Sequence, residues 1–395
     1  MKRFSPLVIL LLVAVYFSIT GFQCGSAELT TAKLAMQQQQ WDKAEVSLMN
    51  EVAKNQQNEE AWYLLGQVRL EMKNYQGMNE AYTKALALSD DHRKEIGNNR
   101  LAVWGDLYND GIASYNKGKD DPSNYDKAIE SFGTALSLVP DSASTYYVLA
   151  LAHYTKKDYD NAEPNLKTAL TKKPDYAEAA DLLGQVCLAR ASEKTLAKDT
   201  VGATTEYEKA AAAFEKAYKA NPQKPDYILS LIEAYDKADQ SDKAMALTRD
   251  AVASDPTNRT YRYVYGVFLL KQDKFEDGIE QFSNVGQPVP DSVDAIYIDA
   301  TYNLGVSYLN WGVAMKKESD RKAEADRKKI GRNAKVDLSY KEKFRAALPY
   351  LEKSSKLRED NAVLWQQLGK VYANLNMVGK SKEAFDEADR IMSNN

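Results

Sequence analysis

Four residues in the chain have side chains of the types most often used for nucleophilic or transition-metal chemistry: Cys24, Cys187, His92 and His153. A reactive thiolate needs a neighbouring base or cation, and a zinc site needs several ligands that the spacing brings together. The two histidines stand 61 residues apart, no Cys-x-x-Cys pattern exists, and two cysteines cannot form a disulfide framework. The sequence therefore predicts no metal, no cofactor and no Cys/His catalytic pair.

Motifs that bind phosphate or activate a nucleophile are also missing. The patterns GxGxxG, GxxxxGK[ST], HExxH and GxSxG do not occur in the sequence. The acidic pair Asp120-Asp121 lies in a predicted turn, where solvated carboxylates are far more common than catalytic ones. Proteins that bind nucleic acid usually carry a basic surface, so the net charge of −4 argues against a nucleic-acid partner. We therefore expect neither enzymatic activity nor a nucleic-acid partner.

Residues 1–27 have the pattern of an export signal. Two basic residues precede an apolar run at residues 7–17, which is shorter than the roughly 20 residues that span a bilayer. Processing could be cleavage after Ala27 or lipidation of Cys24 as in bacterial lipoproteins, with an uncleaved anchor as a third alternative. The first two both place residues 28–395 outside the cytoplasm. We therefore expect an exported protein, either periplasmic or anchored to a membrane as a lipoprotein.

The spacing of five prolines predicts how the rest of the chain is organised. Three of the four gaps between them are 34 residues, and the fourth is 48. Internal periods of this length are typical of repeats built from two helices. Because proline cannot extend a helix, each of these residues is expected to follow the end of one. The set is Pro140, Pro174, Pro222, Pro256 and Pro290.

Residues 143–176 read ASTYYVLALAHYTKKDYDNAEPNLKTALTKKPDY. This segment closely resembles the tetratricopeptide repeat, a family that prefers an aromatic residue at position 4, Leu-Gly at 7 and 8, Tyr at 11, Ala at 20 and 27, Phe at 24 and Pro at 32. Two further segments, 59–92 and 362–395, match the same pattern. Their matching residues are Trp62, Leu65, Gly66, Tyr82 and Ala85 in the first, and Trp365, Leu368, Gly369, Tyr372, Phe385 and Ala388 in the second.

Aligning the chain on the prolines places nine repeats. Position 17, where the second helix begins, is aromatic in seven of the nine, although this position did not set the alignment. The resemblance implies an all-α fold, a tetratricopeptide-repeat solenoid of antiparallel helix pairs with a protruding helical extension. After the leader at 1–27, the solenoid at 28–395 consists of repeats near 25–58, 59–92, 105–142, 143–176, 177–224, 225–258, 259–292, 298–361 and 362–395.

Glycine recurs at position 8 of the predicted first helices, where it costs about 1 kcal/mol relative to alanine. We expect the paired helix to approach too closely there for a side chain. His153 and Cys187 both fall at position 11, beside the predicted core, so a packed histidine and a buried thiol are expected rather than catalytic groups. The recurring glycines are Gly66, Gly184, Gly266, Gly305 and Gly369.

The eighth repeat exceeds the period by 30 residues and is predicted to extend both of its helices into a basic arm at residues 312–343. Residues 316–345 hold twelve Lys or Arg and six Asp or Glu, a net charge of +6. The arm is either a solvated helical hairpin or a contact for something anionic, such as phospholipid headgroups, envelope polysaccharide or an acidic partner. Its basic residues include Lys316, Lys317, Arg321, Lys322, Arg327, Lys328, Lys329 and Arg332.

In tetratricopeptide repeats, positions 2, 5, 9 and 12 of the first helix face the concave surface, so the resemblance implies a partner-binding groove at these positions. Tyrosine recurs among them, and a large, rigid, amphipathic ring suits a binding hot spot. The family's carboxylate clamp of Lys, Asn and Arg does not map onto this sequence. The implied groove residues are Tyr63, Gln67, Tyr147, Leu151, Tyr154, Asp181, Gln185, Glu233, Asp236, Tyr263, Val267, Tyr302, Val306, Gln366 and Lys370.

The expected function follows from the repeats and the leader together. We expect a non-enzymatic protein–protein interaction scaffold of the cell envelope, which binds a peptide or a partner helix in the tyrosine-lined groove. The alternative is a membrane-anchored lipoprotein that serves envelope or secretion-complex assembly. In that case a lipid on Cys24 and the basic arm would both contact an anionic membrane.

Overall fold

The computed structural model describes residues 26–286, 294–330 and 337–393, and these residues form helices and no strand. The all-α fold expected from the sequence is therefore confirmed. The helices are α1 (Ala27–Gln37), α2 (Trp41–Lys54), α3 (Glu59–Glu71), α4 (Tyr75–Leu88), α5 (Arg93–Lys117), α6 (Ser123–Leu138), α7 (Ala143–Thr155), α8 (Tyr159–Lys172), α9 (Ala177–Leu196), α10 (Thr200–Ala220), α11 (Pro225–Lys237), α12 (Ser241–Ser254), α13 (Arg259–Lys271), α14 (Phe275–Ser283), α15 (Ala295–Ile330), α16 (Tyr340–Leu357), α17 (Ala362–Asn374) and α18 (Val378–Ser393).

The chain divides into two compact parts, Met1–Val186 and Cys187–Asn395, with the division inside α9. We call them the N-terminal part and the C-terminal part. Within each part, helices pack mainly against their neighbours in sequence, so that pairs of helices stack on one another. Some sequence predictions concern residues outside the described ranges, namely Pro290, Arg332 and the leader up to residue 25, which includes Cys24.

Polar caps fix where the first helices begin. A serine or asparagine precedes five of them, and its side-chain oxygen accepts a hydrogen bond from the backbone N–H three residues later. This bond satisfies one of the amide groups that a helix start leaves without an intrahelical partner. The capping residues are Ser26, Asn58, Ser142, Asn258 and Asn361.

The same three-residue turn joins the two helices of seven pairs. Its middle residue has a positive φ, as at Lys157 with φ 60°, although none of the seven is glycine. The next backbone N–H then bonds the carbonyl five residues earlier, as from Asp158 to His153 at 2.9 Å, which closes the first helix. The seven residues are Gln39, Lys73, Lys157, Lys198, Asp239, Asp273 and Asn376.

The prolines end the second helices as the sequence predicted. Each of the four that the structure describes lies two residues beyond a helix end. They are Pro140 after Leu138, Pro174 after Lys172, Pro222 after Ala220, and Pro256 after Ser254.

Close approach between paired helices explains the glycines at position 8. A Cβ on Gly66 would overlap the ring of Tyr82, which is fully buried. A Cβ on Gly266 would lie 2.7 Å from the Phe282 ring, and one on Gly305 would lie 2.6 Å from Leu351 Cγ. In each case the added Cβ would meet the residue at position 24 of the paired helix, and Gly369 meets Phe385 in the same way, so the predicted reason is confirmed for Gly66, Gly266, Gly305 and Gly369.

Longer helices account for the departures from the 34-residue period. The insertion before the third repeat lengthens α5 to 25 residues, and the insertion in the fifth repeat lengthens α9 and α10 to 20 and 21 residues. In the eighth repeat, α15 runs for 36 residues whereas α16 has 18, so the described part of the basic arm belongs mostly to α15.

Candidate partner-binding surface

One face of α7 carries three of the predicted groove residues. Tyr147, Leu151 and Tyr154 follow one another at intervals of four and three residues, which places them along one side of a helix. All three are half-buried, so each has surface left for a partner. We call these three residues the α7 face.

Neighbouring tyrosines hold both rings of the α7 face in place. The ring centroid of Tyr147 lies 5.2 Å from that of Tyr176, with 48° between the planes. The centroid of Tyr154 lies 5.9 Å from that of Tyr159, with 49° between the planes. Tilted pairs at such distances contribute about 0.5–1.5 kcal/mol beyond the area they bury. The rings are therefore ordered before any partner binds.

The hydroxyl groups near this face stay protonated at neutral pH. Burial raises the pKa of Tyr176 to about 12, and the nearby Tyr147 and Tyr108 contribute to that rise. Burial also raises the pKa of Tyr154, and the carboxylate of Asp181 on α9 adds to that effect. Uncharged hydroxyls can both donate and accept hydrogen bonds. The face therefore combines apolar ring surface with several polar groups.

Two hydrogen bonds attach α5 to α7 at either end of this region. The indole nitrogen of Trp104 donates to Thr145 Oγ1 at 3.0 Å, and the hydroxyls of Tyr115 and Thr155 are 2.9 Å apart. Between them, Tyr108 and Tyr147 pack against the same buried cluster. The sequence analysis missed Tyr108 because counting the third repeat from residue 105 places it at position 4. Gly111 meets the Phe132 ring as Gly66 meets Tyr82, which puts Gly111 at position 8 and Tyr108 at the concave position 5. Tyr176 was missed because it lies beyond the first helix, at position 34.

Parts of the first helices near the α7 face hold only acidic charges, although α5 as a whole also contains four Lys or Arg, and Lys173 lies over the Tyr176 ring, 4.6 Å from its centroid. Residues 105–116, 143–155 and 177–186 contain no Lys or Arg. The same segments contain four carboxylates, of which three are exposed and Asp181 is half-buried. Because Asp181 and Gln185 are four residues apart on α9, they share one side of that helix. The four carboxylates are those of Asp106, Asp110, Glu178 and Asp181.

Tyr63 and Gln67, at the equivalent positions of α3, are occupied with internal packing. Tyr63 is buried, and its ring stacks on His92 with 3.7 Å between centroids and on Tyr82 with 6.1 Å. Gln67 Nε2 donates to the Tyr63 hydroxyl at 2.7 Å, and His92 Nδ1 pairs with Glu59 at 2.8 Å. Little of the Tyr63 ring remains for a partner.

In the C-terminal part, most predicted groove residues of α11 and α13 contact residues of the neighbouring helices. Asp236 pairs with Lys271 at 2.8 Å, while Glu233 is exposed. The hydroxyl of Tyr263 accepts a hydrogen bond from Asn303 at 3.3 Å. The Tyr263 ring packs with Val267 on the cluster around Phe282, and burial raises the pKa of Tyr263.

The last predicted groove residues differ in how much surface they leave. Tyr302 and Val306 pack on the buried cluster that contains Phe344 and Leu351. Gln366 is half-buried, with its amide nitrogen 3.7 Å from Met392 Sδ, and Lys370 is exposed. The α7 face therefore places two half-buried tyrosines on one helix, whereas α13 and α15 each contribute one half-buried tyrosine to the predicted groove.

Several basic side chains of the arm already have partners within the chain. Arg321 and Lys322 both pair with Glu318, and Lys328 pairs with Glu324, all within α15. Lys316 donates to Asn374 Oδ1 at 2.9 Å, whereas Lys317 and Arg327 are exposed. The hydrogen bond from Arg321, helped by Lys322, lowers the pKa of the Glu318 carboxyl to about 2. Arg332 lies outside the described residues, as does the side chain of Lys329.

The four residues that opened the sequence analysis do not form a reactive site in the described part of the chain. His153 Nδ1 pairs with Asp158 at 2.8 Å beside the core, and Cys187 is buried. Residues 26–286, 294–330 and 337–393 contain no group of three or more His, Cys, Asp or Glu that could hold a metal ion. None of the helices in these ranges is long and apolar enough to span a membrane.

A cleft of the N-terminal part lies between α2, α3 and α4. It has a volume of about 510 Å³ and is lined by residues that include Met49, Trp62, Leu65 and Lys84. A smaller cleft beside Trp365 in the last pair has the equivalent residues in its walls. Because the two clefts share repeat positions, they result from the geometry of the repeat with tryptophan at position 4.

Comparison with protein families supports the repeat type. A family model for the tetratricopeptide repeat matches residues 123–177, and another matches residues 59–92 and 362–395. The chain contains tetratricopeptide repeats. A model described as anaphase-promoting complex, cyclosome, subunit 3 matches residues 203–285. No curated protein sequence matches the chain.

Solved structures of tetratricopeptide-repeat proteins resemble parts of the chain. YrrB, described as a TPR protein with an unusual peptide-binding site, is 20% identical over 60% of this chain and 96% of its own, with a TM-score of 0.40. TTC0263 from Thermus thermophilus is 21% identical over 51% of this chain and 98% of its own, with a TM-score of 0.35. MamA from Desulfovibrio magneticus RS-1 is 20% identical over 46% and 93%, with a TM-score of 0.36.

Proposed function

We propose that this tetratricopeptide-repeat protein is a non-enzymatic interaction scaffold, and that the α7 face binds a segment of a partner protein. The observation that carries this proposal is the arrangement of Tyr147, Leu151 and Tyr154. Their side chains are half-exposed on one helix face, yet two neighbouring tyrosines already fix the rings. Binding therefore costs little side-chain entropy, which favours hot-spot contacts.

The surrounding charge supports a partner segment with basic residues. The carboxylates of Asp181 and Glu178 lie close enough to Tyr154 and Tyr176 to raise the pKa of these tyrosines, and Lys173 lies over the Tyr176 ring. A lysine or arginine of the partner gains from these carboxylates and from stacking on a tyrosine ring. Apolar side chains of the same segment contact Leu151 and the ring faces. The proposed ligand is a peptide or a partner helix that alternates basic and apolar positions.

The cell envelope is the proposed place of action. The support comes from the leader at residues 1–27, with its basic start and its short apolar run. Under this proposal the protein is periplasmic, or it is a lipoprotein anchored through Cys24. The basic arm supports the second form, because its sequence adds positive charge that an anionic membrane attracts. In that form the scaffold serves envelope or secretion-complex assembly.

The test of the α7 face is site-specific cross-linking in the native host. A photo-reactive phenylalanine replaces Leu151 in one strain, and replaces the exposed Leu101 of α5 in the control strain. We expect a protein cross-linked from position 151 and not from position 101. The purified partner should then bind Tyr147→Ala or Tyr154→Ala about 10- to 30-fold more weakly, as hot-spot rings do. Unchanged affinity in both variants would refute the proposed site.

The place of action is tested separately. Cell fractionation shows whether the chain reaches the periplasm, and feeding a labelled fatty acid shows whether it is lipidated. Incorporation of label that disappears in Cys24→Ala would support the lipoprotein form. Export without label would support the soluble form, and retention in the cytoplasm would refute both.

A further inference from the structure

The residue at position 24 of each second helix is buried between two first helices. In the eight pairs that precede the last, this residue is at most 2% exposed. Tyr82 of α4 shows both contacts: its ring covers Gly66 of its own pair, and its hydroxyl accepts a hydrogen bond from Asn99 of α5 at 2.8 Å. Phe282 likewise covers Gly266 and packs with Leu304 of the next pair.

The last pair makes only the first of these contacts. Phe385 of α18 lies over Gly369 of α17, where an added Cβ would be 2.9 Å from the ring, but 36% of Phe385 is exposed. Val378 and Met392 stand seven residues before and after it, on the same side of the helix, and are 76% and 49% exposed. We call these three residues the α18 face. Lys382 and Asp389 are also exposed on this side of α18, so three large apolar side chains and two charged ones share it.

The first helix, α1, has the complementary feature. First helices turn positions 3, 7 and 10 toward the preceding second helix, and in α3 these are the buried Ala61, Leu65 and Val68. The equivalent residues of α1 are Ala27, Thr31 and Leu34. All three are exposed, and Leu34 is 53% exposed. We call them the α1 face.

Because the two faces correspond to surfaces that pack together between neighbouring pairs of the chain, we propose that the α18 face of one copy docks on the α1 face of a second copy. The contact would repeat the packing of each second helix on the next first helix. The contact uses Phe385, Val378 and Met392 on one side and Leu34 on the other. It joins two different surfaces, so it is a head-to-tail contact that leaves one face of each kind open for further copies. The interface repeats a packing that the chain already makes between its own pairs.

The proposal is tested by the mass of the protein in solution, measured by light scattering over a wide concentration range on the full chain as cells process it. Leu34→Asp removes the α1 face, and the double substitution Val378→Asp with Met392→Asp removes the α18 face. All three positions are exposed, so circular dichroism of the variants should match the parent. We expect the parent to grow in mass with concentration, and each variant alone to remain a monomer.

Mixing the two variants distinguishes this contact from other ways of associating. Each variant keeps one intact face, so an equimolar mixture should form a dimer and stop there. Leu196→Asp is the control, because Leu196 is even more exposed but lies on neither face. Serine in place of aspartate gives a milder version, which should weaken the increase in mass without abolishing it.

Three results would overturn the proposal. The first is a parent protein that stays monomeric at every concentration, as it would if another segment or protein covered these faces. The second is a Leu34→Asp protein that associates as the parent does, which would indicate α18-to-α18 contact. The third is loss of association in Leu196→Asp. None of these results bears on the α7 face, which is tested by partner binding.

Discussion

The same substitution, glycine to alanine, should change stability in opposite directions at two places in the N-terminal part. Gly97 lies in the interior of α5, and no atom other than those of its adjacent residues and its own helix backbone lies within 4 Å of the position that a Cβ would take. Gly66 lies in the interior of α3, where the Cβ would overlap the ring of Tyr82. Alanine gains about 1 kcal/mol over glycine inside a helix at either place.

The magnitudes follow from the surroundings. For Gly97→Ala we expect the full gain of about 1 kcal/mol, because nothing opposes it. For Gly66→Ala the ring must move, yet Tyr82 is fully buried and its hydroxyl is held by Asn99. Overpacking of this kind costs about 1–3 kcal/mol, which exceeds the helix gain and leaves a net loss of about 1 kcal/mol. The two variants should therefore differ by about 2 kcal/mol.

The assay is hydrogen exchange followed by mass spectrometry on peptides that cover α3, α4 and α5. Exchange of these amides reports the local stability of the helices that contain the substitutions. Protection should rise in Gly97→Ala and fall in Gly66→Ala. Adding Tyr82→Leu to Gly66→Ala should recover part of the loss by making room for the methyl group. Equal gains in protection at Gly66 and Gly97 would show that the ring contact does not limit the helix approach.

Three further predictions concern the turns, the buried hydroxyls and the helix caps. Lys157→Gly should raise the free energy of unfolding by about 0.5 kcal/mol in urea denaturation, because φ is positive there and the relief exceeds glycine's entropy cost; a loss would contradict it. Burial raises the pKa of Tyr82 to about 12, so its stabilising effect is complete below about pH 10 and disappears as the pH rises through 12. As the pH rises from 10 to 12, the free energy of unfolding of Tyr82→Phe should therefore fall less than that of the parent. Urea midpoints that fall by the same amount in both proteins would refute this. Asp199→Ala should cost about 1 kcal/mol by thermal unfolding, because Asp199 accepts the Gly202 N–H at 2.9 Å at the start of α10; Asp199→Asn, which keeps an acceptor, is the control.

Sequence patterns could predict the repeat fold because they record helix ends and close contacts directly. Proline stops a helix wherever it stands, so the prolines located the ends of second helices. Glycine inside a helix is unfavourable without a reason, so its recurrence indicated close approach, and Gly66 against Tyr82 is an example. Both signals depend on neighbours within one repeat, which the period brings together.

The groove residues were less predictable, because repeat position alone does not tell how much of a side chain remains exposed. Tyr63 and Tyr147 both stand at position 5, and each ring contacts the ring at position 34 of its own repeat, His92 or Tyr176. Tyr63 is nevertheless buried while Tyr147 is half-buried. Tyr63 also stacks on Tyr82, whereas the fourth repeat has Leu166 at that position. The basic arm shows the same limit, since its net charge in the sequence did not show that Glu318 pairs with Arg321 and Lys322.

The sequence by itself determined that this chain is a series of paired helices with tetratricopeptide spacing, because the period, the helix-ending prolines and the position 8 glycines act locally. Only the tertiary structure decided which surfaces remain open. Exposure depends on what the neighbouring pair contributes, and that contribution varies from repeat to repeat. Phe385 and Tyr82 have equivalent positions in the sequence pattern, but α5 covers Tyr82 and no described residue covers Phe385 to the same extent.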